Sequence, residues 1–288
     1  MNSSAFQVQC DRAVGSSPLP VLATTPSRAG TEPQRRPLYL RPRGKTRVDM
    51  DGPALRVRSA GRAEVRYPLY RVSRVVASPD VEWSARALRA CLETGIPIVL
   101  VGENGAPLGS VFPASPHTSR LSEAIDELLD RPDWSEIYAT WLRAARMRIL
   151  REWRADREAA GRPPAPGEFR ELVRRYVYAG ADAAPFGEAG GLWRGAICAL
   201  AAGALSRAGL QATYWGAGGT VLRLLDDLTR LAELCLRMEV HARMEESLVG
   251  EAIVLRVFHA ISDKLDNKCA LVLASLARRI RQVLAEWR

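Results

Sequence analysis

Residues 92–112 read LETGIPIVLVGENGAPLGSVF, which predicts the end of a helix, a strand and a hairpin. Gly95 is typical of the position just after a helix, because glycine adopts a left-handed backbone without steric cost. The run IPIVLV contains no charged residue, which is typical of a buried strand. ENGAPLGSVF then predicts a turn followed by an antiparallel return strand. The stretch therefore indicates a sheet with a buried interior.

The residues upstream predict more strands and a helix that leads into this stretch. ALRVRS at 54–59 and RAEVRY at 62–67 alternate apolar and arginine positions, which is typical of strands with one buried face. A helix is predicted over 81–95, with Asp80 as its N-cap. Tight turns are predicted at Asp51-Gly52 and Ala60-Gly61.

From residue 119 onward the apolar residues recur at helical spacing. The segment RPPAPGE at 162–168 interrupts this pattern, because proline removes a backbone donor and clashes with the preceding turn. The fold class predicted is α+β, with a disordered leader over 1–36, a β-rich domain over 37–114 and a helical domain over 119–288. Helices are predicted over 119–130, 134–161, 191–209, 221–250 and 270–287.

The positive charge of the chain is almost entirely arginine. The formal net charge is +9 over 288 residues, and lysine occurs only at 45, 264 and 268. Arginine presents a fixed fork of donors that suits phosphate oxygens, so the composition is compatible with nucleic-acid binding. A GC-rich coding sequence would raise the arginine content in the same way without any such function.

The helix predicted over 134–161 concentrates several of these arginines. One interpretation is that this face contacts DNA phosphates. The alternative is a solvated face whose charge is balanced by nearby acidic residues of the same helix. The predicted DNA-contacting residues are Arg143, Arg146, Arg151 and Arg154.

The five cysteines, at 10, 91, 198, 235 and 269, are far apart and form no C-x-x-C pair. Zinc or thiol redox chemistry is therefore not indicated, and the apolar surroundings of four of them favour buried thiols in a reducing compartment. The first 20 residues lack the basic and apolar regions of a secretory signal. No apolar run approaches the ~20 residues that span a bilayer. We therefore predict a cytoplasmic protein with no membrane contact.

The order of three motifs resembles the N-terminal domain of the CRISPR-associated spacer integrases, the Cas-one family. These motifs are PLYL at 37–40, YPLYRVSRVVAS at 67–78 and LETGIPIVLVGENGAPLG at 92–109. LRAARMRILREW at 142–153 is similar to the helix that opens the family's C-terminal domain. The resemblance implies a β-rich domain that forms a homodimer, a helical catalytic domain, DNA as substrate and a small partner protein, Cas-two.

In this family a Glu, a His and an Asp of the helical domain bind Mg²⁺ or Mn²⁺. Joining a 3′-hydroxyl to a phosphodiester needs such an ion to polarise the phosphoryl oxygen and stabilise the leaving group. GEAIVLRVFH at 250–259 keeps the family's interval from glycine to histidine, and a polar loop and ALVLASLARRIR follow. By resemblance, His259 therefore occupies the position of the family histidine and is the first metal-ligand candidate.

The same alignment leaves the other two ligands incomplete. Ala274 stands at the family aspartate, where no ligand remains, and Gln211 stands at the family glutamate, where a neutral amide is a poorer ligand. Glu168 is a competing candidate for the glutamate. A second alignment places LRLLDDLTRL at 222–231 on the aspartate motif, which retains Asp226 and Asp227 but puts glycine at the histidine. In the first alignment, the chain is also shorter after the aspartate motif than is usual in the family.

Three functions follow from the resemblance and the departures from it. The first is a DNA-binding CRISPR adaptation protein with impaired metal-dependent catalysis. The second is a scaffold or regulatory DNA-binding protein that keeps the fold alone. The third is an unrelated helical nucleic-acid-binding or interaction protein. Because the metal triad is incomplete in both alignments, enzyme activity stays open at this point.

Overall fold

The structure is a computed structural model that describes most of the chain from residue 35 onward. The leader predicted over 1–36 lies almost wholly outside the described residues, as do 114–118, on which the predicted domain boundary falls. The described ranges are 35–40, 44–103, 105, 107–113, 119–180, 192–210, 214, 222–243 and 251–287.

In the part of the chain that the structure describes, eight strands, one α-helix and a short 3-10 helix (Leu69–Arg71) come first and helices follow, so the predicted α+β class is confirmed. The strands are β1 (Arg36–Leu40), β2 (Thr46–Asp51), β3 (Ala54–Ser59), β4 (Val65–Pro68), β5 (Val72–Ala77), β6 (Val81–Trp83), β7 (Ile98–Val101) and β8 (Pro107–Val111). The helices are α1 (Ala85–Glu93), α2 (Arg120–Leu129), α3 (Trp134–Ala159), α4 (Pro166–Leu172), a π-helix (Val173–Tyr178), α5 (Leu192–Arg207), α6 (Leu224–Arg243) and α7 (Glu251–Trp287).

The strands form two four-stranded sheets, which we call sheet A and sheet B. Sheet A has the order β1-β5-β7-β8, and sheet B has the order β4-β3-β2-β6. The predicted hairpins are confirmed, because β2 pairs antiparallel with β3, β3 with β4, and β7 with β8. Gly52, with φ of 56°, makes the predicted turn between β2 and β3, where a side chain would be strained.

Sheet A separates two apolar cores, and the period of two along its strands assigns each residue to one of them. Leu38 and Leu40 of β1 face sheet B, together with Ile98 of β7. The alternate residues of the same strands face the helices. These are Tyr39, Val76, Val99 and Val101.

Helix α5 lies directly on sheet A and is buried on nearly all sides, as its apolar sequence predicts. Gly195 permits this close contact, because a Cβ at that position would overlap Cγ1 of Val101 and lie 3.4 Å from Cγ1 of Val76. Helices α3, α6 and α7 complete the core around α5. Within the described residues, no helix combines the length and apolar character that a membrane span requires.

Two local predictions are wrong. The first helix is capped by Ser84, whose hydroxyl accepts a hydrogen bond from the backbone N–H of Ala87, and not by Asp80. Residues 81–83 extend instead as β6 and pair with β2. The polar loop predicted after His259 does not exist, because α7 is continuous from Glu251 to Trp287.

Candidate functional site

His259 lies where α7 meets the edge strand of sheet A. Its imidazole is exposed and contacts Tyr39 of β1 edge-on, with ring centroids 5.5 Å apart and planes at 88°. It also contacts the ring of Phe258, with centroids 5.6 Å apart. The imidazole therefore packs edge-on against two aromatic rings.

A buried arginine lies next to this aromatic group. The guanidinium of Arg74, on β5, stacks over the ring of Phe258 at 5.3 Å from its centroid, and Arg74 is 8% exposed. Burial lowers the pKa of Arg74, and Tyr39, Asp266 and Asp263 act against that shift. The guanidinium of Arg74 therefore lies over the neighbour of His259, and the carboxylates of Asp263 and Asp266 are close enough to act on its charge.

The structure brings Glu168 next to a different histidine, His241. Nε2 of His241, near the end of α6, lies 3.7 Å from Oε1 of Glu168 on α4. The other oxygen of Glu168 accepts a hydrogen bond of 3.2 Å from the backbone N–H of Ala165, which caps α4. The His241 ring meets Trp153 of α3 edge-on, with centroids 5.5 Å apart. This cluster joins three helices, so a structural role accounts for every contact it makes.

Asp226 and Asp227 lie in the first turn of α6 and have separate partners. Oδ2 of Asp226 is 3.1 Å from Nε of Arg230, one turn further along the helix. Oδ2 of Asp227 accepts a hydrogen bond of 2.9 Å from the hydroxyl of Tyr138 on α3. Burial raises the pKa of Asp227, and the Tyr138 hydrogen bond and the Arg146 charge oppose the rise. Arg230 also acts on Asp227 by its charge, so the two carboxylates share one cationic neighbour.

The candidate ligands do not converge on one point. From Asp226 to His241 is fifteen residues of α6, which corresponds to a rise of about 22 Å along the helix axis. Oxygen ligands lie only about 2.0–2.6 Å from Mg²⁺ or Ca²⁺, so residues at opposite ends of α6 cannot share an ion. Ala274 is exposed on α7 and offers no ligand atom, while Gln211 lies outside the described residues.

The described residues therefore do not fit a Mg²⁺ or Mn²⁺ site. Across the described part of the chain, no group of three or more His, Cys, Asp or Glu side chains is arranged to hold a metal ion. The candidates contact different elements. His259 contacts β1, Glu168 contacts α6, and Asp227 contacts α3, while Asp226 pairs with Arg230 within α6.

The four predicted DNA-contacting arginines all lie on α3, but they differ in whether a carboxylate lies beside the guanidinium. Arg154 makes an ion pair of 2.6 Å with Glu158 and stacks over Phe169. Arg146 is half-buried and acts on Asp227 by its charge. Arg143 and Arg151 are exposed, and neither has a carboxylate partner among the described residues. Two of the four therefore present an uncompensated charge to solvent.

Sequence reasoning missed His241 and a buried ion pair between α5 and α6. Glu233 is fully buried, and its Oε1 lies 3.0 Å from Nε of Arg194. The position of Glu233 among the apolar residues of α6 was a usable signal, because a buried charge in a helix core needs a partner. No spacing in the sequence relates Glu168 to His241, since their contact depends on how α4 docks against α6.

Comparison with known proteins agrees with this fold. Residues 38–163 match the family model described as CRISPR associated protein Cas1, which is the Cas-one family of the resemblance above. The matched range contains β2 to β8, α1, α2 and α3, and it ends before Glu168, Asp226, Asp227 and His259. It therefore leaves the assignment of the candidate ligands open. No curated protein is significantly similar to the sequence.

Several solved structures share the fold at low sequence identity. A CAS1 protein from Thermotoga maritima superposes with a TM-score of 0.60 at 11% identity, covering 85% of this chain and 97% of that chain. The protein of a TtCas1–DNA complex gives 0.54 at 16% identity, with 83% and 91% covered. A casposase bound to integration product gives 0.54 at 13% identity, with 85% and 91% covered.

The family match covers the strands and the first long helix, and the structural similarity extends over the helices that follow. Residues 38–163 therefore match the Cas1 family model, and the chain has the fold of the solved Cas1 structures.

Proposed function

We propose that the chain is a DNA-binding protein of CRISPR adaptation, built on the spacer-integrase fold, in which metal-dependent catalysis is impaired. One observation supports the impairment most directly. The candidate ligands of the described residues lie apart, with Glu168 beside His241 at one end of α6 and Asp226 and Asp227 at the other. A divalent ion would supply Lewis-acid chemistry only where several oxygen ligands converge.

DNA binding is supported by the positive charge of the chain and by DNA-bound proteins that share its fold. The chain carries a net charge of +9, and Arg143 and Arg151 extend from the exposed side of α3. Arginine forks pair well with phosphate oxygens, and such contacts bind DNA whatever its base sequence. Two of the structures with this fold are a Cas1–DNA complex and a casposase bound to integration product.

Two protein partners belong to this proposal. A homodimer formed through the β-rich part follows from the family resemblance. A small Cas2-type partner is supported by a Cas6-RT-Cas1–Cas2 complex, whose structure matches 89% of this chain at a TM-score of 0.54. The match takes up 36% of that longer chain.

The test combines a binding assay with a joining assay. Fluorescence anisotropy measures affinity for a short duplex at several salt concentrations, and the joining assay follows insertion of that duplex into a supercoiled repeat plasmid with Mg²⁺ or Mn²⁺. We expect salt-dependent binding with little or no joining. An active integrase in parallel reactions shows that the DNA substrates are competent.

The variants separate the roles of the candidate ligands. If the wild type joins the DNA and His259→Ala abolishes this joining, catalysis is not impaired and His259 is supported as a ligand. Joining abolished by Asp226→Asn would favour the second alignment instead, and joining abolished by Glu168→Gln would support Glu168 as the family glutamate. If the protein binds neither duplex nor plasmid, the DNA-binding function is wrong, and a scaffold that keeps only the fold becomes the better explanation.

A further inference from the structure

A cavity of about 90 Å³ lies between α3, α6 and α7. This volume is several times the roughly 10–15 Å³ that one water molecule needs, so the space can hold a small organic group. Buried apolar side chains form its floor, and these are Ile149, Trp153, Cys235, Met238, Ile261 and Leu265. Partly or fully exposed charged side chains form its mouth, and these are Glu152, Asp156, Glu239, Lys264 and Lys268.

Two of the three lysines of the chain line this cavity, although arginine supplies almost all of the other positive charge. Lys264 and Lys268 lie one turn apart on α7, so both side chains reach the same mouth. The side chain of Lys264 is 57% exposed, and its ammonium contacts Glu239 and lies 3.8 Å from Asp156. The side chain of Lys268 is 22% exposed and contacts Glu152. Lysine, unlike arginine, becomes a nucleophile when it loses its proton.

The two lysines differ in how readily they lose a proton. Burial and the nearby charge of Arg148 lower the pKa of Lys268. The contact with Glu152 favours the ammonium form, but Glu152 is 44% exposed and solvent screens this pair. The hydrogen bond to Glu239 raises the pKa of Lys264. Since burial and a neighbouring cation both activate a lysine as a nucleophile, Lys268 is the activated member of the pair.

We propose that Lys268, activated by burial and by Arg148, is a site of acylation by small activated acyl donors, namely acyl phosphates and thioesters. The amine first loses one proton to solvent and then attacks the carbonyl carbon of the donor. Glu152 accepts the second proton from the nitrogen, and the bond to phosphate or thiolate breaks with its electron pair leaving on that group. The product is an uncharged amide whose acyl chain lies against the apolar floor. Acylation therefore ends the cost of holding a partly buried ammonium.

The experiment incubates the folded protein with acetyl phosphate and follows the acetylation of each lysine over time by peptide mass spectrometry. Lys45, which is exposed, and Lys264 are internal references in the same molecule. We expect Lys268 to react at least about threefold faster than Lys45, because burial and a neighbouring cation increase its fraction of neutral amine. Lys264 should react most slowly of the three. In concentrated urea the three lysines should react at similar rates, because the fold no longer distinguishes them.

Arg148→Gln removes an exposed charge of α3 and should slow the acetylation of Lys268 while leaving the rate at Lys45 unchanged. Thermal unfolding shows whether this variant is folded. The proposal is overturned if Lys268 reacts no faster than Lys45 in the folded wild type, or if its advantage persists in urea. A rate at Lys268 that is the same in folded Arg148→Gln and in the wild type overturns it as well. None of these outcomes depends on DNA binding, so the function proposed above is tested separately.

Discussion

At the scale of single residues, the pKa of Asp227 links a buried contact to a measurable pH dependence. Burial raises that pKa above its ordinary value of 3.8. At pH values between 3.8 and the raised pKa, Asp227 holds a proton in the folded protein that it has lost in the unfolded chain. The free energy of unfolding therefore falls as pH rises through that window, and the loss persists at neutral pH.

Asp227→Asn removes this cost while keeping an oxygen that accepts from the Tyr138 hydroxyl. We expect the variant to gain stability over the wild type at neutral pH and to lose that gain below about pH 4, where the carboxyl is protonated in both states. Urea unfolding at the two pH values measures the difference. A gain that is equal at both pH values would contradict the assignment to Asp227.

Asp133→Asn is a control in which the effect on the free energy of unfolding has the opposite sign. A hydrogen bond from Arg131 lowers the pKa of Asp133, so its stabilising contribution is present at neutral pH and lost as pH falls through the lowered value. Its substitution should therefore cost stability at neutral pH and cost less in acid.

At the scale of elements, α7 differs most from what the sequence predicts. The segment SDKLDNK has the composition of a loop, but it contains neither glycine nor proline, and nothing in it terminates a helix. Ile261, Leu265 and Cys269 are buried at helical spacing, so the inner face of α7 continues through the polar residues. The tertiary contacts of three apolar side chains outweigh the weak helix propensity of Asp and Asn.

A substitution at Asn267, which is exposed on the outer side of α7, tests whether the helix is continuous. Asn267→Pro should lower the free energy of unfolding by about 3 kcal/mol or more, because proline removes a backbone hydrogen bond and clashes with the preceding turn. Asn267→Ala is the matched control and should raise stability by about 0.5 kcal/mol through helix propensity. Urea unfolding followed by circular dichroism gives both values. If neither substitution changes the free energy of unfolding, the segment around Asn267 is a loop.

The strands were more predictable than the candidate site. Alternation in 54–59 and the buried run at 96–101 are local patterns that report which face of a strand is covered. The site depends on contacts between distant elements, such as Tyr138 with Asp227 and Glu168 with His241, which no local pattern encodes. The alignment that selected His259 relied on a loop that the structure replaces with helix. That replacement puts about 22 Å of continuous helix between His259 and Ala274, the residue aligned with the family aspartate.

At the scale of the whole molecule, the packing of α5 on sheet A joins the two parts predicted as domains into one core. Tyr39, Val76 and Val101 of sheet A share that core with the helices. Gly195 is the point of closest approach, since an added Cβ would overlap Val101, which is fully buried and cannot move aside.

We therefore expect Gly195→Ala to lower the free energy of unfolding by about 1–3 kcal/mol through overpacking. Gly203→Ala, on the same helix, is the matched control. Its Cβ would meet the flexible end of Arg207 at 3.3 Å, so the better helix propensity of alanine should raise stability by up to about 1 kcal/mol. Thermal and urea unfolding measure both. Equal effects at the two glycines would contradict the close packing at Gly195.

The position of α5 in the chain also sets an order of events during synthesis. Sheet A ends its last strand at Val111, whereas the helix that covers its second face begins at Leu192. A nascent chain that has left the ribosome only through β8 can close the interior between the two sheets, but it still exposes Tyr39, Val76, Val99 and Val101 to water. Until α5 emerges, that uncovered face is a surface for chaperones or for misassociation with other nascent chains.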